Sequence, residues 1–418
     1  MSEPRVFDTL IIGGGPGGYS LAADLAAEGQ RVALFERDSL GGTCLNRGCI
    51  PTKCLCASTG GDFATAIAHM RETVDTLRSD VGTLLGNVEL VKAEARFAGP
   101  RTIEACGELY EAPRIVIATG SKPAPLRCEG ADRAIDSDAL LAMDSLPEGP
   151  VVIVGGGVIG LEFASVLAGF GLEVSVVEFC PEVLPNMDSD LAKRLRQRLR
   201  KRGIDIHVGT AVDEIRSDGT VVCHNRKGSV ELPARTVIAA VGRRPVLPEG
   251  LGNTAVRLTD RGFIDVNSET METAEPGVYA VGDVNGLCML AHAAEAQARR
   301  AAGMPVNLSV IPAVVFTEPE FAAVGSIEGA SVKVPYSSNG KALAGNEGDG
   351  ILRLVYDHDT HRLTGCHVLG AHAADLVAEA TLAIANGLTA EAVAATVHAH
   401  PTLSELFRSA ALRVCAVR

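Results

Sequence analysis

One pattern occurs twice in the chain and limits its fold more than any other feature. A short apolar strand runs into a glycine turn, a helix of small residues, and a second strand that ends on a carboxylate. The first copy is FDTLIIGGGPGGYSLAADLAAEGQRVALFER: after Phe7 to Ile12 come Gly13, Gly15 and Gly18 in G-x-G-x-x-G spacing. Gly29 ends its helix, and Arg31 to Glu36 forms the second strand. The second copy, PVVIVGGGVIGLEFASVLAGFGLEVSVVEF, carries Gly155, Gly157 and Gly160, ends its helix at Gly171 and finishes on Glu178. In both copies, the acid stands 18 positions after the last glycine. The first glycine permits a tight turn, the second lets a pyrophosphate approach the backbone, and the third lets helix and strand pack closely. The helix N-terminus then faces the phosphates, and the carboxylate accepts from a ribose hydroxyl. A single such turn is weak evidence. Two in register predict two Rossmann-like dinucleotide-binding units in an α/β chain.

Composition narrows the reading further. At 418 residues, the chain is long enough for several domains. A net charge of −13 argues against nucleic acid, whose phosphates reward basic surfaces. LAKRLRQRLRKRG (Leu191 to Gly203) contradicts that balance, but Leu191, Leu195 and Leu199 recur every fourth residue. That spacing reads as one buried helical stripe under a solvated basic face. Val151 to Leu172 is apolar and long enough to imitate a membrane span, yet it holds Glu162 and the second glycine turn. The N-terminal MSEPRVFDTLII shows no signal-peptide pattern, and a cytoplasmic, reducing location is expected. The 11 cysteines are an odd number and cannot all pair within one chain.

Two of them lie in LGGTCLNRGCIPTK, where Cys44 and Cys49 are five apart and Pro51 suits the first turn of a helix starting just after Cys49. A helix N-terminus favours a thiolate through its free N–H groups and partial positive charge. Two buried free thiols, or half of a metal site, would give the same spacing. No second Cys/His pair lies nearby at ligand spacing, so no metal is expected. After Glu178 the sequence FCPEVLPNMD has no Arg or Lys to meet a 2′-phosphate, so the second unit should prefer NAD over NADP.

With these motifs in place, the chain resembles the class I pyridine nucleotide–disulfide oxidoreductases along nearly its whole length. The further matching segments are VIATGS (from Val116), VIAAVGRRP (from Val237), GVYAVGDV (from Gly277), MLAHAA (from Met289), IPAVVFTEPEFAAVG (from Ile311) and HAHPTLSE (from His398). The resemblance implies an FAD-binding domain over residues 1–145, an NAD-binding domain over 146–242, a segment completing the FAD site over 243–309, and a C-terminal α+β dimerisation domain over 310–418. It also implies that Gly120, Asp283, Ala291 and Gly242 join the glycines and acids at the cofactors, with Asp283 of the Gly282–Asp283 pair closing over FAD. Lys53 and Glu162 match a pair beside the flavin ring, although a surface ion pair would read the same way.

Within the family, the lipoamide-oxidising branch is the most similar. Val158 stands where glutathione-type reductases carry a tyrosine lid, and the tail has only Cys415 where mercuric reductases end in two cysteines. The resemblance makes Cys44 the interchange thiol and Cys49 the thiol against the flavin. It makes His400 of the partner subunit the base, held by Glu405. A His before a Pro is otherwise more often a packed or surface residue, and His398 is left out of the catalytic set. Cys54 and Cys56 read as packing thiols. The expected enzyme is a homodimer that oxidises dihydrolipoamide, free or on a carrier protein, with NAD. An NADH-dependent reductase of another small disulfide, or a nucleotide-binding subunit without turnover, are the other readings. The chain is short for that branch, with losses after Lys53, after His292, after Gly325 and after Glu405.

Overall fold

The computed structural model describes residues 3–416. The first glycine unit folds as strand Thr9–Ile12, helix Pro16–Ala27 and strand Val32–Phe35. The second folds as strand Val151–Val154, helix Val158–Gly169 and strand Val174–Glu178. Each unit seeds a five-stranded parallel sheet with its first strand at the centre. Thr9–Ile12 pairs with Val32–Phe35 on one side and Arg114–Ile117 on the other, and Val151–Val154 pairs with Val174–Val177 and Thr236–Ala239. Both central strands are buried along their whole length. Helices cover both faces of such a sheet, so its strands read as unbroken apolar runs rather than alternating ones.

That burial explains the apolar stretch at Val151 to Leu172. It is a core strand followed by a core helix, and no helix among the described residues is long and apolar enough to cross a membrane. Val278–Ala280 lies outside the second unit in sequence but pairs with Arg114–Ile117 at the edge of the first sheet. The chain thus returns to its starting sheet and delivers Gly282 and Asp283 beside the first unit. A third, antiparallel sheet follows, in the order Ala313–Val315, Glu320–Gly325, Leu363–Gly370, Ile351–Tyr356, Ala330–Pro335. Helices Ala373–Ala385 and Glu405–Ala416 pack on it. Only residues 326–329 join its strands Glu320–Gly325 and Ala330–Pro335, at one of the places where the sequence is short.

The basic run is helix Ser189–Lys201, with Leu191, Ala192, Leu195 and Leu199 buried as the spacing predicts. Its charged face is not simply solvated, as the sequence reading expected. Arg198 bonds Asp349 at 2.8 Å, Arg202 bonds Glu318 at 2.5 Å, and Lys333 bonds Asp190 at 2.5 Å. Arg353 reaches the buried Asp188. These pairs tie the second nucleotide unit to the C-terminal sheet. Because most are exposed, each contributes little, and the apolar stripe dominates. Leu195→Ala should therefore cost about 3 kcal/mol in denaturant unfolding. Arg194→Ala, whose 3.6 Å pair with Asp190 is exposed, should stay within about 0.5 kcal/mol.

Candidate active site

The two glycine turns are built alike. Gly13 sits at φ +109° and Gly155 at +113°, and a Cβ on either would stand 2.3 Å from a carbonyl oxygen of the neighbouring strand's end, Ala118 or Ala240. A Cβ on Gly18 would come within 1.9 Å of the Gly13 carbonyl oxygen, and one on Gly160 within 1.9 Å of that of Gly155. The first and third glycines are thus fixed by the turn and by helix–strand approach. The second is different. A Cβ on Gly157 would meet nothing within 4 Å, and one on Gly15 only the Gly42 Cα at 3.9 Å. Both open into one cavity of about 1610 Å³, which fits the backbone-to-phosphate approach that a dinucleotide needs.

Glu36 and Glu178 line the same cavity. Glu36 accepts from the Gly14 and Asp38 N–H groups at 2.7 Å, and Glu178 from Gly156 and Cys180 at 2.6 Å. Each acid therefore anchors its own glycine turn, a task the sequence reading did not assign. Beside Glu178, the cavity-lining residues Phe179, Pro185 and Asn186 carry no positive charge.

Gly120 and Gly242, at φ +69° and +110°, also border the cavity. Ser121 donates to Asp283 at 2.5 Å, and Arg243 Nε donates to the Ser121 hydroxyl at 2.7 Å. The Gly282 N–H donates to the buried Gln297 at 2.7 Å, and Ala291 opens the helix Ala291–Ala301 at the cavity wall. Arg243, Ser121 and Gln297 were not singled out from sequence. The first two lay within quoted motifs, but nothing local marked them as partners of Asp283.

The cysteines lie on two helices rather than one. Cys44 is inside a short helix, Gly42–Arg47, which the sequence reading had not expected, and Cys49 is the first residue of helix Cys49–Ala57. Gly48 breaks the two, and a Cβ there would stand 2.9 Å from the Thr43 carbonyl oxygen. Both are thiols here, Cys44 half-buried and Cys49 open to the cavity. The Cys44 thiol hydrogen-bonds Cys49, which with burial drives Cys44 well above the ordinary thiol range. The same bond, helped by the Lys53 ammonium, lowers Cys49 to about 7. One negative charge is thus shared by the pair and rests on Cys49.

Lys53 pairs with Glu162 at 2.8 Å and sits 4.4 Å from the centre of the Phe316 ring. Glu162 is 4% exposed and also accepts from the Phe316 N–H at 3.0 Å, so this is no surface ion pair. Cys54 is buried in the core. Burial pushes Cys56 up to about 12, and its thiol donates to the Phe316 carbonyl. In the C-terminal unit, His400 Nδ1 lies 3.0 and 3.2 Å from the two Glu405 oxygens, and its ring is exposed. Neither residue lines the cavity of its own chain. His398 has both ring nitrogens engaged, by Glu379 at 2.8 Å and the Thr396 carbonyl at 3.0 Å.

Residues 7–298 match the family described as pyridine nucleotide-disulphide oxidoreductase, and residues 311–411 match its dimerisation domain. The chain belongs to this family. It is 39% identical to the dihydrolipoyl dehydrogenase of Thermus scotoductus, with 97% of each chain covered. It is 36% identical to that of Geobacillus stearothermophilus, covering 97% of this chain and 95% of the relative. Among solved structures, the HOCl-induced flavoprotein disulfide reductase RclA of Escherichia coli superposes with a TM-score of 0.88 at 27% identity, covering 98% of this chain and 100% of that one.

Of the two thiols, Cys49 is the one lowered towards neutrality, by the Cys44 hydrogen bond and the Lys53 ammonium. Alkylation of Cys49 in the reduced protein, followed by peptide mass mapping, should rise through a midpoint near pH 7. Removing the nearby positive charge with Lys53→Met should move that midpoint upward by about 1 pH unit. An unmoved midpoint would show that Lys53 does not stabilise the thiolate.

Proposed function

We propose that the chain is a homodimeric, NAD-dependent dihydrolipoamide dehydrogenase, with FAD in the first glycine unit and NAD in the second. The observation that carries this reading is the Cys44–Cys49 pair, which holds one shared charge at the wall of a cavity containing both glycine turns. In the oxidised enzyme, a dihydrolipoamide thiolate attacks Cys44 Sγ. The Cys44–Cys49 bond breaks and Cys49 leaves as the thiolate that Lys53 and the helix N-terminus favour. The second substrate thiolate then attacks the substrate sulfur of the mixed disulfide, closing the lipoamide ring and freeing Cys44, which takes up a proton. Two electrons have passed to the cysteine pair. FAD held in the first glycine unit would supply the two-electron chemistry that links the reduced cysteine pair to NAD⁺.

Gly15 and Gly157 would admit the two pyrophosphates, Glu36 and Glu178 would meet the riboses, and Asp283 would meet the FAD chain beyond. His400 of the partner subunit accepts the substrate thiol proton. Glu405 orients it through Nδ1, leaving Nε2 toward the substrate. The exposure of His400 and its absence from its own chain's cavity support a role across the dimer. The C-terminal match to a dimerisation domain supports the same arrangement. A lipoyl group on a carrier protein, in the cytoplasm, is the proposed working substrate.

Two experiments test the reading. NADH should be preferred to NADPH by at least about tenfold in kcat/KM, or about 1.4 kcal/mol, because Glu178 repels a 2′-phosphate. Comparable rates would refute the coenzyme assignment. Mixing inactive Cys44→Ser chains with inactive His400→Ala chains should restore about a quarter of wild-type activity, since about half the dimers then hold one intact site of two. A mixture that stays inactive after verified subunit exchange would mean that His400 acts within its own chain or not at all, and would overturn the role across the dimer.

A further inference from the structure

The segments that leave the two glycine turns meet each other. Ala118, whose carbonyl oxygen crowds the Cβ position of Gly13, leads into strand Ser121–Pro123. Ala240, which does the same at Gly155, leads into strand Arg243–Pro245. The two strands pair antiparallel. At the ends of the ribbon, the Ala124 N–H donates to the Gly242 carbonyl at 2.9 Å and the Val246 N–H to the Gly120 carbonyl at 3.0 Å. This ribbon is the seam between the two nucleotide units, and Ser121, Lys122, Arg243 and Arg244 all line the shared cavity.

Strand alternation gives the ribbon two faces. Ser121 and Arg243 turn to one of them, where Ser121 bonds Asp283 and Arg243 bonds Ser121. Lys122 and Arg244 share the other, and the register sets them directly opposite each other. Like charges so placed repel. Arg243 is compensated, with Asp138 and Asp283 each 4.0 Å away. Its neighbours are not. Lys122 and Arg244 are both exposed, and among the described residues neither side chain makes a hydrogen bond or an ion pair. Two cations are thus held together at the cavity wall with no counter-charge from the protein.

A phosphate group suits such a pair, because ammonium and guanidinium groups hold its oxygens by charge-assisted hydrogen bonds. The dinucleotide on the second turn is the better placed of the two. Asp283, assigned to the FAD chain, lies on the ribbon's other face, and Arg244 follows Ala240 by four residues, at most about 14 Å of extended chain. We propose that Lys122 and Arg244 form an anion subsite for the pyrophosphate of the nicotinamide dinucleotide seated on the second glycine turn. The inference rests on the NAD reading above and assigns part of that coenzyme's affinity to two side chains outside the glycine motif.

The test is calorimetric binding to the oxidised holoprotein of ADP-ribose, which keeps the pyrophosphate and cannot be reduced, and of adenosine, which lacks it. Lys122→Gln/Arg244→Gln should bind ADP-ribose at least tenfold more weakly, bind adenosine within twofold of wild type, and keep its FAD. Lys227→Gln, an exposed cation on a hairpin away from the cavity, should change neither ligand. The wild-type affinity for ADP-ribose should fall as salt is raised, and the double variant's should fall less. An ADP-ribose affinity unchanged in the double variant would overturn the inference and leave the NAD reading standing, as would loss of FAD with that affinity intact. If the double variant does not fold, a wild-type affinity insensitive to salt overturns it equally. A wild-type holoprotein that binds neither ADP-ribose nor NAD⁺ would overturn the NAD reading and this inference with it.

Discussion

The negative charge shared by Cys44 and Cys49 is the constraint around which the rest of the structure is arranged. Two adjacent thiolates would repel, and two neutral thiols would be poor donors of electrons. The hydrogen bond from Cys44 resolves this by lowering Cys49 to about 7 while raising its own pKa. Lys53 supplies the nearby positive charge, and the buried Glu162 fixes Lys53 by an ion pair at 2.8 Å. Glu162 belongs to the helix of the second glycine unit and also accepts from the Phe316 N–H, in the approach to the antiparallel sheet. The electrostatics of the cysteine pair therefore depend on the two parallel sheets and the five-stranded antiparallel sheet being docked.

The fold supplies that docking in an economical way. Each parallel sheet ends its central strand at a glycine turn, and each turn is pinned by the acid that closes its neighbouring strand. The return strand Val278–Ala280 places Asp283 opposite Ser121, and Arg243 from the end of the second unit joins them. The helix Ser189–Lys201 packs on both its own sheet and the C-terminal sheet, its leucines lying in the core cluster that joins them, and its charged groups pair with the C-terminal side.

Features set by local backbone geometry were legible in the sequence. Gly18 and Gly160 are required by contacts within their own turns, and Gly13 and Gly155 by a positive φ at the turn itself, so spacing alone revealed them. The leucine stripe at Leu191, Leu195 and Leu199 was legible for the same reason. What sequence could not show was long-range. The Arg243–Ser121–Asp283 chain joins residues over a hundred positions apart, and the pairing of the basic helix with Asp349 and Glu318 likewise crosses the chain. The helix around Cys44 was missed because Gly41, Gly42 and Gly48 look like loop residues, whereas Gly41 serves as a left-handed start and Gly48 as a break. The roles proposed for His400 and Glu405 had a different origin, in a family resemblance. The geometry adds their mutual hydrogen bond and the exposure of the ring.

The most direct test of this account is a thiol count by residue. The oxidised holoprotein is treated anaerobically with one equivalent of dihydrolipoamide, alkylated at once, and mapped by peptide mass spectrometry. Cys44 and Cys49 fall in different tryptic peptides, because Arg47 lies between them. Both peptides should become alkylated without NAD⁺ and revert towards the oxidised state when NAD⁺ is added before the alkylating agent. The other cysteines, from Cys54 to Cys415, should not change in either step. New thiols elsewhere, or none at Cys44 and Cys49, would contradict the claim that this pair takes the substrate's electrons.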